Sequence, residues 1–300
     1  MKLKTLSLLA LILVLLAAGC AAQPAATRVA PATNQVPAVP TGALTAVSAA
    51  VSTATVMQTT FPVDLNVFAA ASLTASFTDL GKLFEAAHPG VTVVFNFAGS
   101  QQLAQQINEG APADVFASAN SKQMDVVIDA GNIVKGTETI FARNRLVVVF
   151  PKDNPEGLKE LKDLARSGLK LVFAAKEVPV GQYALDFLDK ATAEPAFGAN
   201  FKDDVLKNVV SYEDNVKAVL TKVALGEADA GIVYMTDISG EDARKVGSLD
   251  IPDALNVVAS YPIAPVKENK KADLAQAFID MVVGPKGQAV LAKYNFAPVK

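Results

Sequence analysis

Between residues 63 and 300 the spacing of apolar positions switches repeatedly between short runs and helical intervals. Leu65-Asn66-Val67-Phe68 reads as a buried strand, after which Phe77, Leu80, Phe84 and Ala87 fall on one helical face. Pro89-Gly90 turns the chain into a strand in which Val91, Val93, Phe95 and Phe97 alternate. Ser100 then opens a short helix that buries Leu103 and Ile107. Gly110-Ala111-Pro112 stops that helix ahead of a third strand, Asp114 to Ala117. A second series follows. Leu146 to Phe150 is a strand ending at Pro151, and Leu158, Leu161 and Leu164 share the face of a helix. Lys170 to Ala174 is a strand, and beyond Gly181 a helix aligns Ala184, Phe187, Leu188 and Ala191. Val209 to Tyr212 is a strand, Val216, Val219, Leu220 and Val223 form a helix face closed by Gly226, and Ala230 to Tyr234 returns as a strand. The chain closes with a helix carrying Leu274, Phe278 and Met281 and a short one around Val290.

Strands separated by helices of this length imply βαβ units and a parallel sheet, so the fold class is α/β. The two βα-rich series meet near Arg143–Leu146 without a sequence repeat, which predicts two lobes with a cleft between them. Open sheets of this kind place ligands at the carboxyl ends of strands, beside helix N-termini. The expected organisation is a first lobe from residues 63–143 and 262–300 and a second from 144–261.

The N-terminal part follows different rules. Lys2 and Lys4 precede an uncharged run from Thr5 to Gly19 and then Cys20. A basic start and a short apolar stretch read as a secretory signal over residues 1–19. Leu16-Ala17-Ala18-Gly19-Cys20 resembles the bacterial lipobox, which implies cleavage before Cys20 and attachment of a lipid to its thiol. Residues 20–62 are rich in Ala, Pro and Thr, with Arg28 as the one charge. Pro24, Pro31, Pro37 and Pro40 favour extended segments over helix, so this stretch reads as a tether. The protein is thereby expected on the outer face of the cytoplasmic membrane, held by its lipid alone.

Composition narrows the chemistry. Cys20 is the single cysteine, which excludes a disulfide within the monomer and a thiolate metal site in the folded part. Loss of Lys2 and Lys4 with the signal takes the net charge from −3 to −5. A mildly acidic chain without Trp or a basic cluster is a poor nucleic-acid binder, and local groups rather than a general positive field must hold any anion. His88 is the sole histidine and lies in the turn His88-Pro89-Gly90, where it reads as a helix C-terminal residue. A serine triad lacks its base, no Gly-x-Ser-x-Gly elbow is present and a zinc site lacks ligands, so an enzyme is not expected.

The strand ends hold the candidates. Val67-Phe68 runs into Ala69-Ala70-Ala71-Ser72-Leu73-Thr74, and Phe95-Asn96-Phe97 into Ala98-Gly99-Ser100-Gln101. Small residues permit close backbone approach, and a serine stands where each helix begins. Such a serine is either a helix N-cap, accepting from its own helix, or a donor that joins the free first-turn N–H groups in holding an anion. Val178-Pro179-Val180-Gly181-Gln182 and Tyr212-Glu213-Asp214-Asn215-Val216 are two further helix openings. Tyr234, ending its strand, reads either as a core-edge tyrosine or as a hydroxyl reaching the cleft.

These blocks, together with Gly110-Ala111-Pro112-Ala113-Asp114-Val115-Phe116-Ala117-Ser118-Ala119 and Gly231-Ile232-Val233-Tyr234, resemble the periplasmic molybdate-binding protein family, in order, from about Leu65 to the end. The resemblance implies a two-lobed periplasmic-binding-protein fold of type II, each lobe a mostly parallel sheet flanked by helices. It also implies a solute-binding lipoprotein that captures molybdate or tungstate and delivers it to an ABC permease with its ATPase. No cofactor is implied, and the carrier is expected to be a monomer. Residue by residue, Ser72 and Ser100 match the serines that bind the oxyanion by hydroxyl and N–H. Val180 and Val216 match backbone donors, and Tyr234 matches the tyrosine that completes the shell. Metal is thus held as molybdate, through its oxygens. Val180 stands where the family usually has alanine, and its extra methyls bear on the width of the cleft. Sulfate, of the same charge and shape, is the alternative ligand. A structural or adhesion lipoprotein is the alternative of another class.

Overall fold

The computed structural model describes residues 62–299 apart from 240, 242 and 243. The signal over residues 1–19, Cys20 and, except for Pro62, the tether lie outside the described residues.

The chain builds two five-stranded sheets of the same design. The first lobe begins with β1 (Val63–Ala70), α1 (Thr74–Ala87), β2 (Val91–Ala98), α2 (Ser100–Asn108), β3 (Val115–Ala117), α3 (Ser121–Asp129) and β4 (Thr139–Asn144). One residue later β5 (Leu146–Pro151) enters the second sheet. There follow β6 (Leu171–Ala174), α4 (Pro179–Ala193), α5 (Phe201–Lys207), β7 (Val209–Glu213), α6 (Val216–Ala224), β8 (Ala230–Tyr234) and β9 (Val246–Asp250). The chain then crosses back as β10 (Ala259–Pro265) and ends in α7 (Ala272–Val283) and α8 (Pro285–Lys293).

Strand order is β2-β1-β3-β10-β4 in one sheet and β7-β6-β8-β5-β9 in the other. The repeat that the residues conceal is therefore plain in the topology, with β1, β2 and β3 occupying the places that β6, β7 and β8 hold in the second lobe. Both sheets are mixed rather than mostly parallel. The βα series pair in parallel, whereas β5 and β10 run antiparallel to their neighbours. The cause is connectivity. β5 and β10 each arrive directly from the other lobe, with no crossover helix to reverse the chain. The return strand starts at Ala259, ahead of the expected boundary at 262.

Burial explains the assignments. Every residue of β5 and β8 is buried, as covered sheet strands require. Phe77 and Phe84 of α1 meet Phe278 of α7 with ring centroids 6.0 and 5.3 Å apart, which docks the C-terminal part of the chain onto the first lobe. His88 is the C-cap of α1. Its ring stacks on Phe84 at 4.0 Å and Nδ1 lies 2.9 Å from the Phe84 carbonyl oxygen.

Some elements depart from the sequence pattern. The helix expected around Leu158, Leu161 and Leu164 is only a 3-10 turn, Leu161–Ala165. Gly157 and Gly168, both at positive φ, confine it to a segment too short to nucleate an α-helix. Strand β10, which the sequence pattern does not predict, contains Pro262 and Pro265. Pro262 is accommodated because the pairing with β4 shifts register between Tyr261 and Pro262, a bulge that spares the ladder a missing donor. Among the described residues, no helix is long and apolar enough to cross a membrane, and no group of three or more His, Cys, Asp or Glu could hold a metal ion.

Candidate functional site

The βα junctions of the two lobes face one another. Ser72, Ser100, Val180, Val216 and Tyr234 all line one narrow cleft. All five are at least 95% buried, with Tyr234 and Ser100 at 1% exposure. Among the described residues no charged side chain lines the cleft; small residues such as Ala70, Ala98 and Ala119 form further parts of its wall on the first lobe.

Each lining group has a local cause. Ser72 sits in a 3-10 turn, Ala71–Leu73, that leads from β1 into α1. Ser100 is the first residue of α2, with Gly99 as its N-cap. The Gly99 carbonyl accepts from the N–H groups of Gln102 and Leu103 at 2.9 and 3.1 Å, so the earlier first-turn N–H groups have no acceptor within the helix. Pro179 occupies the first turn of α4 and has no N–H, and no side chain caps that helix, which makes Val180 its first donor. In α6 the Asn215 side chain accepts from Ala218 N at 3.0 Å, leaving the Val216 N–H beside the cleft. Four helical openings from two lobes therefore converge, each carrying a partial positive charge at its N-terminus.

Neither serine caps its own helix. Ser100 Oγ accepts from Ala119 N at 3.0 Å, at the end of β3, and Ser72 Oγ lies 2.9 Å from Tyr261 Oη. Tyr234 Oη is buried and has no hydrogen-bond partner among the described residues. Burial first, then the neighbouring Tyr261, pushes its pKa well above the usual tyrosine range, so it is a neutral donor at any physiological pH.

Sequence reasoning missed the supports of this site. Tyr234 N donates to Asp237 Oδ2 at 3.1 Å, and Asp237, fully buried, pairs with Lys217 Nζ at 3.2 Å. Lys217, at the opening of α6, is thus already matched. Adjacency of Lys217 to Val216 was the available signal, but its partner lies in another element. Tyr261 and Asn144 are likewise brought to the site only by the fold.

The lobes touch across the cleft. Gln101 Nε2 donates to Asp214 O at 2.8 Å and Gln123 Nε2 to Glu177 O at 3.1 Å. Both bonds run from the first lobe to a carbonyl just ahead of a second-lobe helix. Removing them with Gln101→Ala and Gln123→Ala together is expected to speed ligand release about tenfold with little change in association rate. Stopped-flow measurement checks this, and an unchanged release rate rejects the clasp.

A chain of two lobes with the ligand-sized cleft between them is the architecture of a solute receptor, and the comparisons agree. Residues 65–297 match the model of the bacterial extracellular solute-binding protein family, and the chain belongs to that family. It is similar to the molybdate-binding protein of Mycobacterium tuberculosis, 42% identical over 77% of this chain and 83% of the relative. It is similar also to the molybdate-binding protein of Escherichia coli, 34% identical over 77% of this chain and 88% of the relative. Among solved structures it resembles the substrate-binding domain of a putative molybdenum ABC transporter from Clostridium difficile, at 29% identity and a TM-score of 0.59, covering 79% of this chain and 100% of that one.

Proposed function

We propose that this protein captures molybdate outside the cytoplasmic membrane and delivers it to an ABC importer, with Ser72, Ser100, Val180, Val216 and Tyr234 as the oxyanion shell. One observation carries the reading. The cleft offers hydroxyls and helix N-termini but, among the described residues, no charged side chain, a donor set suited to a small dianion. Hydrogen bonds to a charged group contribute roughly 1.5–3 kcal/mol each, so several of them hold a dianion without a counter-charge. Identity to two molybdate-binding proteins supports the choice among tetrahedral oxyanions. Tungstate, nearly the same in size, is proposed to share the site.

Titration calorimetry with molybdate, tungstate, sulfate and phosphate tests this. Molybdate and tungstate should bind most tightly; a preference for sulfate would sink the proposed ligand. Affinity should stay flat from about pH 6 to 8, because the hydroxyl donors remain protonated there. His88, the sole histidine, stacks on Phe84 in the first lobe and does not line the cleft. A steep change across that window would expose an unassigned titrating group.

The anchor is part of the same proposal. A signal over residues 1–19, lipid on Cys20 and a tether to residue 62 would hold a monomeric carrier near its permease and ATPase. Cys20→Ser should release the protein from membranes at unchanged affinity, and continued retention would reject the lipid anchor.

A further inference from the structure

Tyr261 and Asn144 do not line the cleft, yet the Tyr261 hydroxyl lies against that of Ser72 and the Asn144 amide against Tyr261. Asn144 ends β4 and Tyr261 lies in β10, and they are 1% and 0% exposed. The Asn144 side-chain oxygen accepts from Arg145 N at 2.9 Å. Because a backbone N–H only donates, that contact fixes which end of the amide is oxygen. The nitrogen end then gives one hydrogen to Thr236 Oγ1 at 2.7 Å and the other to Tyr261 Oη at 3.2 Å. With its oxygen accepting from Asn144, the Tyr261 phenol has its own proton left to place. The acceptor within reach is Ser72 Oγ at 2.9 Å. The opposite assignment, Ser72 donating to Tyr261, would leave a fully buried phenol proton without that partner, which costs more than a bond gained.

We infer that Asn144 and Tyr261 form a positioning relay in which Asn144 donates to Tyr261 and Tyr261 donates to Ser72, so that the Ser72 proton is presented to the ligand. This rests on the oxyanion reading of the cleft. It makes Ser72 a preset donor rather than a hydroxyl that must choose between a protein acceptor and the anion. The relay also ties that donor to the crossover between lobes, since Asn144 immediately precedes the residue that joins the two sheets and Thr236 belongs to the second lobe.

A double-mutant cycle on the full chain, read by titration calorimetry with molybdate, tests the relay. Tyr261→Phe removes the phenol oxygen and keeps the ring against Phe141 and Phe296. It should weaken binding about three- to tenfold in the otherwise unchanged protein. In a Ser72→Ala background it should weaken binding no further, because there is no hydroxyl to orient. A general packing role would weaken both backgrounds alike, and that result overturns the relay. So does full affinity in Tyr261→Phe, or in Ser72→Ala. If Tyr261→Phe does not fold, Asn144→Ala replaces it in the cycle, with a smaller loss that again vanishes without the Ser72 hydroxyl. Failure of the unaltered protein to bind molybdate is a separate result and strikes the function itself.

Discussion

Tyr234→Phe is expected to lose roughly ten- to hundredfold in molybdate affinity with little change in the unfolding temperature of the ligand-free protein. The two halves of that result have one cause. Tyr234 Oη lines the cleft and makes no hydrogen bond to another described residue, so its removal breaks no such bond within the protein. Phenylalanine fills the same space, against the Tyr261 ring at 5.9 Å. The bound protein, by contrast, loses a donor to a charged ligand. Paired thermal melts and calorimetry check the prediction. A lower melting temperature with intact affinity would mean that Tyr234 is a core residue only. Serine substitutions give a less clean reading, since Ser100→Ala also leaves the buried Ala119 N–H without its acceptor.

Gly99→Ala should weaken binding by a comparable or larger factor through geometry alone. The backbone of Gly99, at φ −59°, suits alanine, and within the first lobe the added Cβ meets only the flexible end of the Gln101 side chain, at 2.5 Å from Oε1, which can swing aside. Across the cleft, however, an added Cβ would lie 2.4 Å from the Asp214 carbonyl oxygen of the second lobe. Backbone cannot move aside as a flexible side chain would, and overpacking of this kind costs about 1–3 kcal/mol, a roughly five- to 150-fold loss of affinity. Small-angle scattering should show less compaction on adding molybdate than in the unaltered protein. Affinity equal to that of the unaltered protein would show that the lobes do not need this approach when ligand is bound.

The glycine also shows where the residues alone stop being informative. From Ala98-Gly99-Ser100 one reads a close backbone approach at a helix start. That the approaching group belongs to Asp214, in the other lobe, follows only from the fold. Similarly, Ser72 and Ser100 were legible as either caps or outward donors, because both roles place serine at a helix opening. The partners that separate these roles, Tyr261 and Ala119, come from β10 and from the end of β3.

What the sequence by itself determined is the alternation of strands and helices and the two-lobed α/β class, which are local properties of hydrophobic period and turn chemistry. The five residues that line the cleft were singled out by the family resemblance, since the strand ends alone left each serine and Tyr234 with two readings. The tertiary structure decided the rest. It made each sheet mixed, because β5 and β10 enter from the opposite lobe. It neutralised Lys217 against Asp237 at 3.2 Å and left Tyr234 Oη without a hydrogen bond to another described residue, and it set Tyr261 and Asn144 behind Ser72. Each of those outcomes depends on groups far apart in the chain, and no local period encodes which of them will share a buried space.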